Sequence, residues 1–258
     1  MVRAVPPATF EAAFDPEREE RELAAYLGDG YRRSLLEQYQ RTLAEEFAGC
    51  GDEAAFYRTS RGYLYNLTAF AMTGTKLPYV DELVRLVQPG ARLLDYGCGI
   101  GSDGLMLLES GYRVEFADFD NPSVEYLRWR LARRGLEAPI HDLDEGVPGG
   151  FDAAYSFDVI EHVPDAFAFL DEIERRADIV LVNLLEPEPH EQEIHHDLPI
   201  PEILRHAASL GLISYRVHHG SSHLVGYSSR LLPRWARLRG RGTLVGERLV
   251  LPLRRRQS

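Results

Sequence analysis

The segment LLDYGCGIGSD at residues 93–103 constrains the fold more than any other part of the sequence. Apolar residues lead into a turn that contains Gly97, Gly99 and Gly101, and a helical pattern follows directly. Glycine permits the backbone conformations of a tight turn, and a helix start presents N–H groups to a ligand. We therefore expect a strand that ends in a ligand-binding turn, as at the opening of a βαβ unit.

Short apolar strands and helices alternate from residue 92 onward, which is typical of a parallel sheet. The last two strands are linked by residues 218–222 alone, too short a link for a helical crossover, so one strand near the end is antiparallel. The predicted fold is α/β and Rossmann-like: a seven-stranded, mostly parallel sheet with one antiparallel strand, helices on both faces and an N-terminal helical lid. The predicted strands are 93–94, 114–117, 138–141, 153–157, 179–184, 212–217 and 223–227.

The first third of the sequence is helical in pattern. Asp15 followed by Pro16 is typical of a helix start, and apolar residues between 31 and 47 recur at three- and four-residue spacing. At the other end, residues 229–258 hold nine arginines and one acid. We predict three parts: an N-terminal helical lid at 1–75, a Rossmann-like cofactor-binding domain at 76–228 and an Arg-rich C-terminal tail at 229–258.

The formal net charge of −11 argues against a general nucleic-acid or membrane-surface binder, although the basic tail leaves room for an anionic partner. Two cysteines, Cys50 and Cys98, are too few for a disulfide framework or a zinc site of four thiolates. Residues 1–20 lack the apolar stretch of a signal peptide, and no apolar run approaches the roughly 20 residues of a membrane span. We expect a cytoplasmic protein without a membrane partner.

The charges around the glycine turn bear on its ligand. Gly99, Gly101 and Gly104 fit the dinucleotide fingerprint, so an NAD-linked enzyme is one interpretation. Asp95 closes the strand before the turn and Asp103 lies in the first helical turn, where each would repel a pyrophosphate. A cationic ligand without phosphate, such as S-adenosylmethionine with its sulfonium and α-amino group, fits these carboxylates better.

At these residues the chain resembles the class I S-adenosylmethionine-dependent methyltransferases, in particular their small-molecule branch. The first motif of that family, acid-x-Gly-x-Gly-x-Gly, is matched by Asp95, Gly97, Gly99 and Gly101, and the resemblance covers about residues 75–228. It implies S-adenosylmethionine as the cofactor and S-adenosylhomocysteine as the product. The further cofactor-binding residues that it implies are Asp118, with Asp120 in reserve, Phe119, Asp142, Leu143 and Phe157.

The sequence contains weaker signals for the residues that bind the methyl acceptor and act on it. A histidine-rich segment follows the fifth strand, and histidine has a suitable pKa for a general base in methyl transfer to oxygen or nitrogen. The candidate catalytic residues are His195, His196 and Glu186, with His190 beside them; solvated loop residues are the alternative. The candidate substrate-binding residues are Tyr63, Tyr65, Asn66 and His162, with packing of aromatic rings as the alternative. We expect no metal site, because no fixed helical spacing joins these histidines.

These features predict a methyltransferase that acts on an oxygen or nitrogen nucleophile of a small molecule, in specialised metabolism. One alternative uses the same cofactor without methyl transfer and closes its aminobutyrate chain into a ring, with release of methylthioadenosine. The NAD-linked enzyme and a catalytically silent binding protein of the same fold also remain open.

Overall fold

The computed structural model describes residues 10–12, 14–50, 53–186 and 195–230. The prediction at His190 and almost all of the predicted tail lie outside the described residues. Within the described part, no helix is both long and apolar enough to cross a bilayer.

Seven strands form one sheet in the order β3-β2-β1-β4-β5-β7-β6, which confirms the predicted fold class. β7 pairs antiparallel with β5 and with β6, whereas the other recorded strand pairs are parallel. The short link at residues 218–222 therefore does make a hairpin. The strands are β1 Arg92–Tyr96, β2 Arg113–Asp118, β3 Ile140–Asp142, β4 Phe151–Ser156, β5 Ala177–Leu185, β6 Leu212–His218 and β7 Ser222–Ser228.

The described chain separates into two compact units, Met1–Val147 and Pro148–Ser258. The first contains α1 Pro16–Leu27, α2 Arg33–Glu37, α3 Tyr39–Cys50, α4 Glu53–Thr59, α5 Tyr63–Met72, α6 Leu77–Leu86, α7 Ser102–Glu109, α8 Pro122–Arg134 and strands β1 to β3. The second contains α9 Ala166–Glu174, α10 Ile200–Leu210 and strands β4 to β7. The division into lid, domain and tail stays a prediction.

Local signals account for several helix boundaries. The Asp15 carboxylate accepts a hydrogen bond from the Arg18 N–H at 3.0 Å, so α1 begins as predicted. The helical spacing of apolar residues between 31 and 47 continues without a break in the sequence, but the chain leaves helical geometry at Gln38. Leu36 of α2 is buried with Leu23 of α1, whereas α3, described throughout, has no fully buried side chain. Core packing turns the short α2 inward, and this ends the continuous helix.

A fully buried arginine joins three elements of the first unit. The Arg130 side chain, on α8, is 0% exposed and donates to Glu22 Oε2 at 2.8 Å and to Glu19 Oε1 at 2.6 Å, both on α1. It also donates to the carbonyl of Ile100 at 2.9 Å and to the Ser102 hydroxyl at 2.8 Å, at the end of the glycine turn. The Nε, Nη1 and Nη2 atoms of the guanidinium thus each donate to an acceptor, and a buried charge requires such partners.

We expect Arg130→Met to lower the free energy of unfolding by about 3–5 kcal/mol, because Glu19 and Glu22 would keep buried charges without their central partner. The measurement is urea denaturation. Arg33→Met, at an arginine whose side chain is 70% exposed, is the matched control and should cost less than about 1 kcal/mol. Equal stability of the two variants would contradict this role of Arg130.

The same network predicts a pH dependence of stability. Burial tends to raise the pKa of Glu22, but the hydrogen bond from Arg134 and the charges of Arg130 and Arg134 outweigh burial, so the pKa lies below its ordinary 4.5. A carboxyl whose pKa is lower in the folded chain stabilises it fully above the ordinary pKa, and this is lost as the pH falls. The urea concentration at the unfolding midpoint should therefore decrease as the pH falls below about 5. The decrease should be less steep in Glu22→Gln. Identical pH profiles for the two proteins would refute the assignment.

Candidate functional site

The glycine turn follows β1 and has a left-handed backbone at three positions. Gly97, Gly99 and Gly101 have φ values of 78°, 52° and 70°. Residues with a Cβ rarely adopt this conformation, so the three glycines of the predicted motif are required by the path of the chain. Gly101 is the residue from which α7 begins.

Several backbone N–H groups of the turn are bound within the protein. Gly97 and Cys98 donate to the carbonyl of Ala117 at 2.8 and 3.2 Å, and Gly101 donates to the carbonyl of Cys98 at 2.8 Å. The N–H of Gly99 donates to Asp118 Oδ2 at 2.7 Å. Because a phosphate-binding turn directs such N–H groups at its ligand, this turn suits a ligand without phosphate.

Close packing explains the remaining glycine of the dinucleotide-like pattern. A Cβ on Gly104 would lie 2.2 Å from Cε1 of Phe116 and 2.9 Å from Oδ2 of Asp95. A Cβ on Gly101 would lie 2.5 Å from Cδ1 of Leu127. These glycines therefore let α7 approach β1, β2 and α8 closely, and their spacing does not require a pyrophosphate.

Three carboxylates stand at the carboxyl ends of adjacent strands. Asp95 is the buried penultimate residue of β1, and Asp118 and Asp142 are paired end residues of β2 and β3. The Asp118 carboxylate accepts from the N–H of Phe119 at 2.7 Å as well as from Gly99. Burial raises the pKa of Asp118, although these N–H groups oppose the rise. The edge is a site for a cation or for hydroxyl donors.

The loop after β3 is attached to the same edge. The N–H of Leu143 donates to the carbonyl of Asp118 at 3.1 Å, and the Asp142 carboxylate accepts from the N–H of Asp144 at 3.0 Å. Asp120, the reserve position, is exposed and accepts from Arg128 at 2.9 Å, so its carboxylate is occupied on the surface. The fold thus brings the predicted residues Asp95, Asp118, Phe119, Asp142 and Leu143 to the end of one three-stranded segment.

The aromatic residues predicted to contact substrate lie on α5. Tyr65 is buried, its hydroxyl accepts from the Arg32 N–H at 2.9 Å, and its ring stacks with Tyr31 at 6.0 Å between centroids. Tyr63 is half-buried with its ring 5.5 Å from that of Tyr57, and Asn66 is half-buried. These contacts hold α5 among the N-terminal helices; a role in substrate binding stays a prediction.

Predicted acceptor-side residues meet within the second unit. His162 belongs to a short 3-10 helix after β4, and its ring centroid is 4.8 Å from that of His195. The N–H of His196 donates to the carbonyl of the buried Glu161 at 2.7 Å. The histidine segment is therefore docked on the loop that follows β4, with two imidazoles in contact.

A strained residue precedes this cluster. Asp158 has a φ of 57°, its N–H donates to Oδ1 of Asn183 at 2.7 Å, and Nδ2 of Asn183 donates back to Oδ1 of Asp158 at 2.6 Å. Such strain persists only where surrounding structure enforces it, and it is frequent at functional sites. The preceding residue, the predicted cofactor contact Phe157, is buried with its ring 5.1 Å from Tyr155.

The third predicted catalytic residue, Glu186, belongs to a chain of hydrogen bonds that the sequence did not indicate. Glu186 Oε1 lies 2.9 Å from Nε2 of the buried His223, and Nδ1 of His223 lies 2.7 Å from the hydroxyl of Tyr215. Because β5 and β7 are antiparallel, Leu184 stands opposite His223. Only the register of that pair, which the sequence does not specify, would have revealed the contact.

Comparison with known proteins bears on these residues. Residues 94–178 match the family model described as "Methyltransferase domain". A "Ubiquinone biosynthesis O-methyltransferase" of Xanthomonas campestris pv. campestris (strain B100) is 32% identical over 105 residues, 39% of this chain. The match spans 43% of the length of that relative, less than half.

Two solved structures share the fold at low identity. TehB from Haemophilus influenzae has a TM-score of 0.50 at 15% identity, over 58% of this chain and 61% of that one. The PH0226 protein from Pyrococcus horikoshii OT3 has a TM-score of 0.51 at 15% identity, over 67% and 94%. The family model and the glycine turn agree with the resemblance to the class I S-adenosylmethionine-dependent methyltransferases seen in the sequence.

Proposed function

We propose that this protein binds S-adenosylmethionine at the carboxyl ends of β1 to β3 and transfers its methyl group to an oxygen or nitrogen atom of a small molecule in specialised metabolism. The main support is the glycine turn, whose N–H groups donate to the carbonyl of Ala117 and the carboxylate of Asp118. The carboxylates of Asp95 and Asp118 also make this edge of the sheet negative. A zwitterionic sulfonium without phosphate fits this arrangement, and a pyrophosphate does not. Relatives named O-methyltransferases favour an oxygen acceptor.

In this proposal each group at the edge has a role. Asp118 accepts hydrogen bonds from the ribose hydroxyls, Asp95 opposes the positive charge of the amino acid portion, and Phe119 and Leu143 pack against adenine. When bound, the cofactor supplies an electrophilic methyl group on sulfur. The protein supplies orientation and excludes water, which are the main requirements of an in-line transfer.

The acceptor side is proposed to lie at the histidine cluster of the second unit. Contact between the rings of His162 and His195 supports a shared role, in which one imidazole removes the proton from the attacking hydroxyl or amine. The backbone hydrogen bond from the His196 N–H to the carbonyl of Glu161 supports this location, because it fixes the histidine segment against the loop after β4.

We expect Asp95→Ala and Asp118→Ala each to weaken S-adenosylhomocysteine binding by at least about tenfold, because each removes a carboxylate from the edge. Isothermal titration calorimetry measures this, with Asp120→Ala as the matched control that should bind as wild type does. Unchanged affinity in both test variants would refute the site. Binding of NADH without binding of S-adenosylhomocysteine would refute the cofactor.

The reaction type is decided by the products. Incubation with S-adenosylmethionine and a panel of phenols and amines should give S-adenosylhomocysteine only when an acceptor is present, as mass spectrometry would show. Release of methylthioadenosine without any acceptor would replace methyl transfer with the ring-closing reaction. Binding without either product would indicate a catalytically silent protein.

We expect His195→Ala and His196→Ala to lower kcat by about 10²-fold or more and to leave cofactor affinity nearly unchanged, because general-base catalysis contributes factors of that size. The assay uses the acceptor identified by the product screen. His219→Asn, at an exposed left-handed position in the β6–β7 turn, is the control. Wild-type rates in both alanine variants would return these histidines to the role of solvated loop residues.

A further inference from the structure

We propose that Arg58, on α4, is a positioning residue that closes the nucleoside end of the cofactor site by clamping Phe119 and the loop after β3. This inference rests on the proposed function, since it states that Arg58 holds in place residues that line the proposed cofactor site. The sequence gives no motif for it: Arg58 lies in an aromatic stretch of the N-terminal helices, and its partners are distant along the chain.

The first contact of Arg58 is a forked ion pair. Its Nη2 donates to Oδ1 of Asp144 at 2.9 Å and its Nη1 donates to Oδ2 at 2.5 Å, across 86 residues of sequence. The hydrogen bond from Arg58 lowers the pKa of Asp144. The N–H of Asp144 is itself bound by Asp142, the end residue of β3. The fork therefore holds the loop that contains the predicted adenine contacts.

The second contact is with an aromatic ring. The guanidinium carbon of Arg58 lies 4.0 Å from the centroid of the Phe119 ring, within the range of a cation–π interaction. Phe119 directly follows Asp118, the proposed ribose ligand. The Arg58 side chain thus contacts both Phe119, which follows the proposed ribose ligand, and Asp144, which follows the proposed adenine contact Leu143.

Another hydrogen bond attaches the same helix to the same edge. Nδ2 of Asn121 donates to the carbonyl of Tyr57 at 3.3 Å, and Nδ2 also lies 3.4 Å from Oδ1 of Asp118. Asn121 is in turn fixed as the N-cap of α8. Helix α4 is therefore attached to the ends of β2 and β3 at three side chains: Phe119, Asn121 and Asp144.

A clamp of this kind acts on dissociation. Both partners of the ion pair are about half-exposed, 40% and 53%, so the pair is individually weak and can open and close during turnover. If the closed wall is what retains the nucleoside, opening it more often raises the dissociation rate and leaves association nearly unchanged. The fork and the planar stack require arginine, because lysine keeps the charge and loses both.

The test is stopped-flow measurement of S-adenosylhomocysteine and adenosine binding to the full chain. In Arg58→Ala we expect about a tenfold faster dissociation of both ligands, because both contain the nucleoside, with a lesser effect in Arg58→Lys. Asp144→Asn should show part of the same increase. Arg41→Ala, at an exposed arginine of α3 that contacts Gln38 and Glu45, should bind as wild type does. Thermal unfolding checks that each variant is folded.

The outcomes separate the two proposals. If wild type binds S-adenosylhomocysteine and Arg58→Ala releases it at the wild-type rate, the clamp is overturned and the proposed function stands. A slower association with unchanged dissociation would also overturn the clamp. If wild type binds neither ligand, the proposed function fails, and the role of Arg58 fails with it.

Discussion

The first unit depends on the burial of one guanidinium. Arg130 cannot lose its charge and is fully enclosed, so it must find acceptors wherever the fold places it. It finds two carboxylates on α1 and two oxygens at the glycine turn, those of Ile100 and Ser102. The N-terminal helix and the turn are therefore held by the same side chain, and a shift of either would take away part of the acceptors of a buried charge.

Sequence patterns predicted the fold well wherever a short-range signal sets the structure. The start of α1 at Asp15 and the hairpin at residues 218–222 are fixed by residues within one turn of the feature. The break at Gln38 could not be predicted in this way. There the helical period continues in the sequence, and long-range packing of Leu36 decides the geometry.

The same distinction between short-range signals and long-range packing applies to the residues of the candidate site. Carboxylates such as Asp95 and Asp118 were predictable because parallel strands bring their carboxyl ends to one edge, so position along the chain gives position in space. The contacts of His223 with Glu186 and of Arg58 with Asp144 span 37 and 86 residues. No spacing rule covers such pairs, because they depend on strand register and on how helices pack.

The internal hydrogen bonds of the glycine turn have a consequence for the energetics of ligand binding. A turn whose N–H groups already have acceptors in Ala117 and Asp118 keeps its shape whether or not a ligand is present. Its conformational entropy is lost when the chain folds, so no further ordering of that backbone opposes association. Affinity at this edge then reports the side chains around the turn, and the turn itself serves as a fixed reference surface for substrate and product alike.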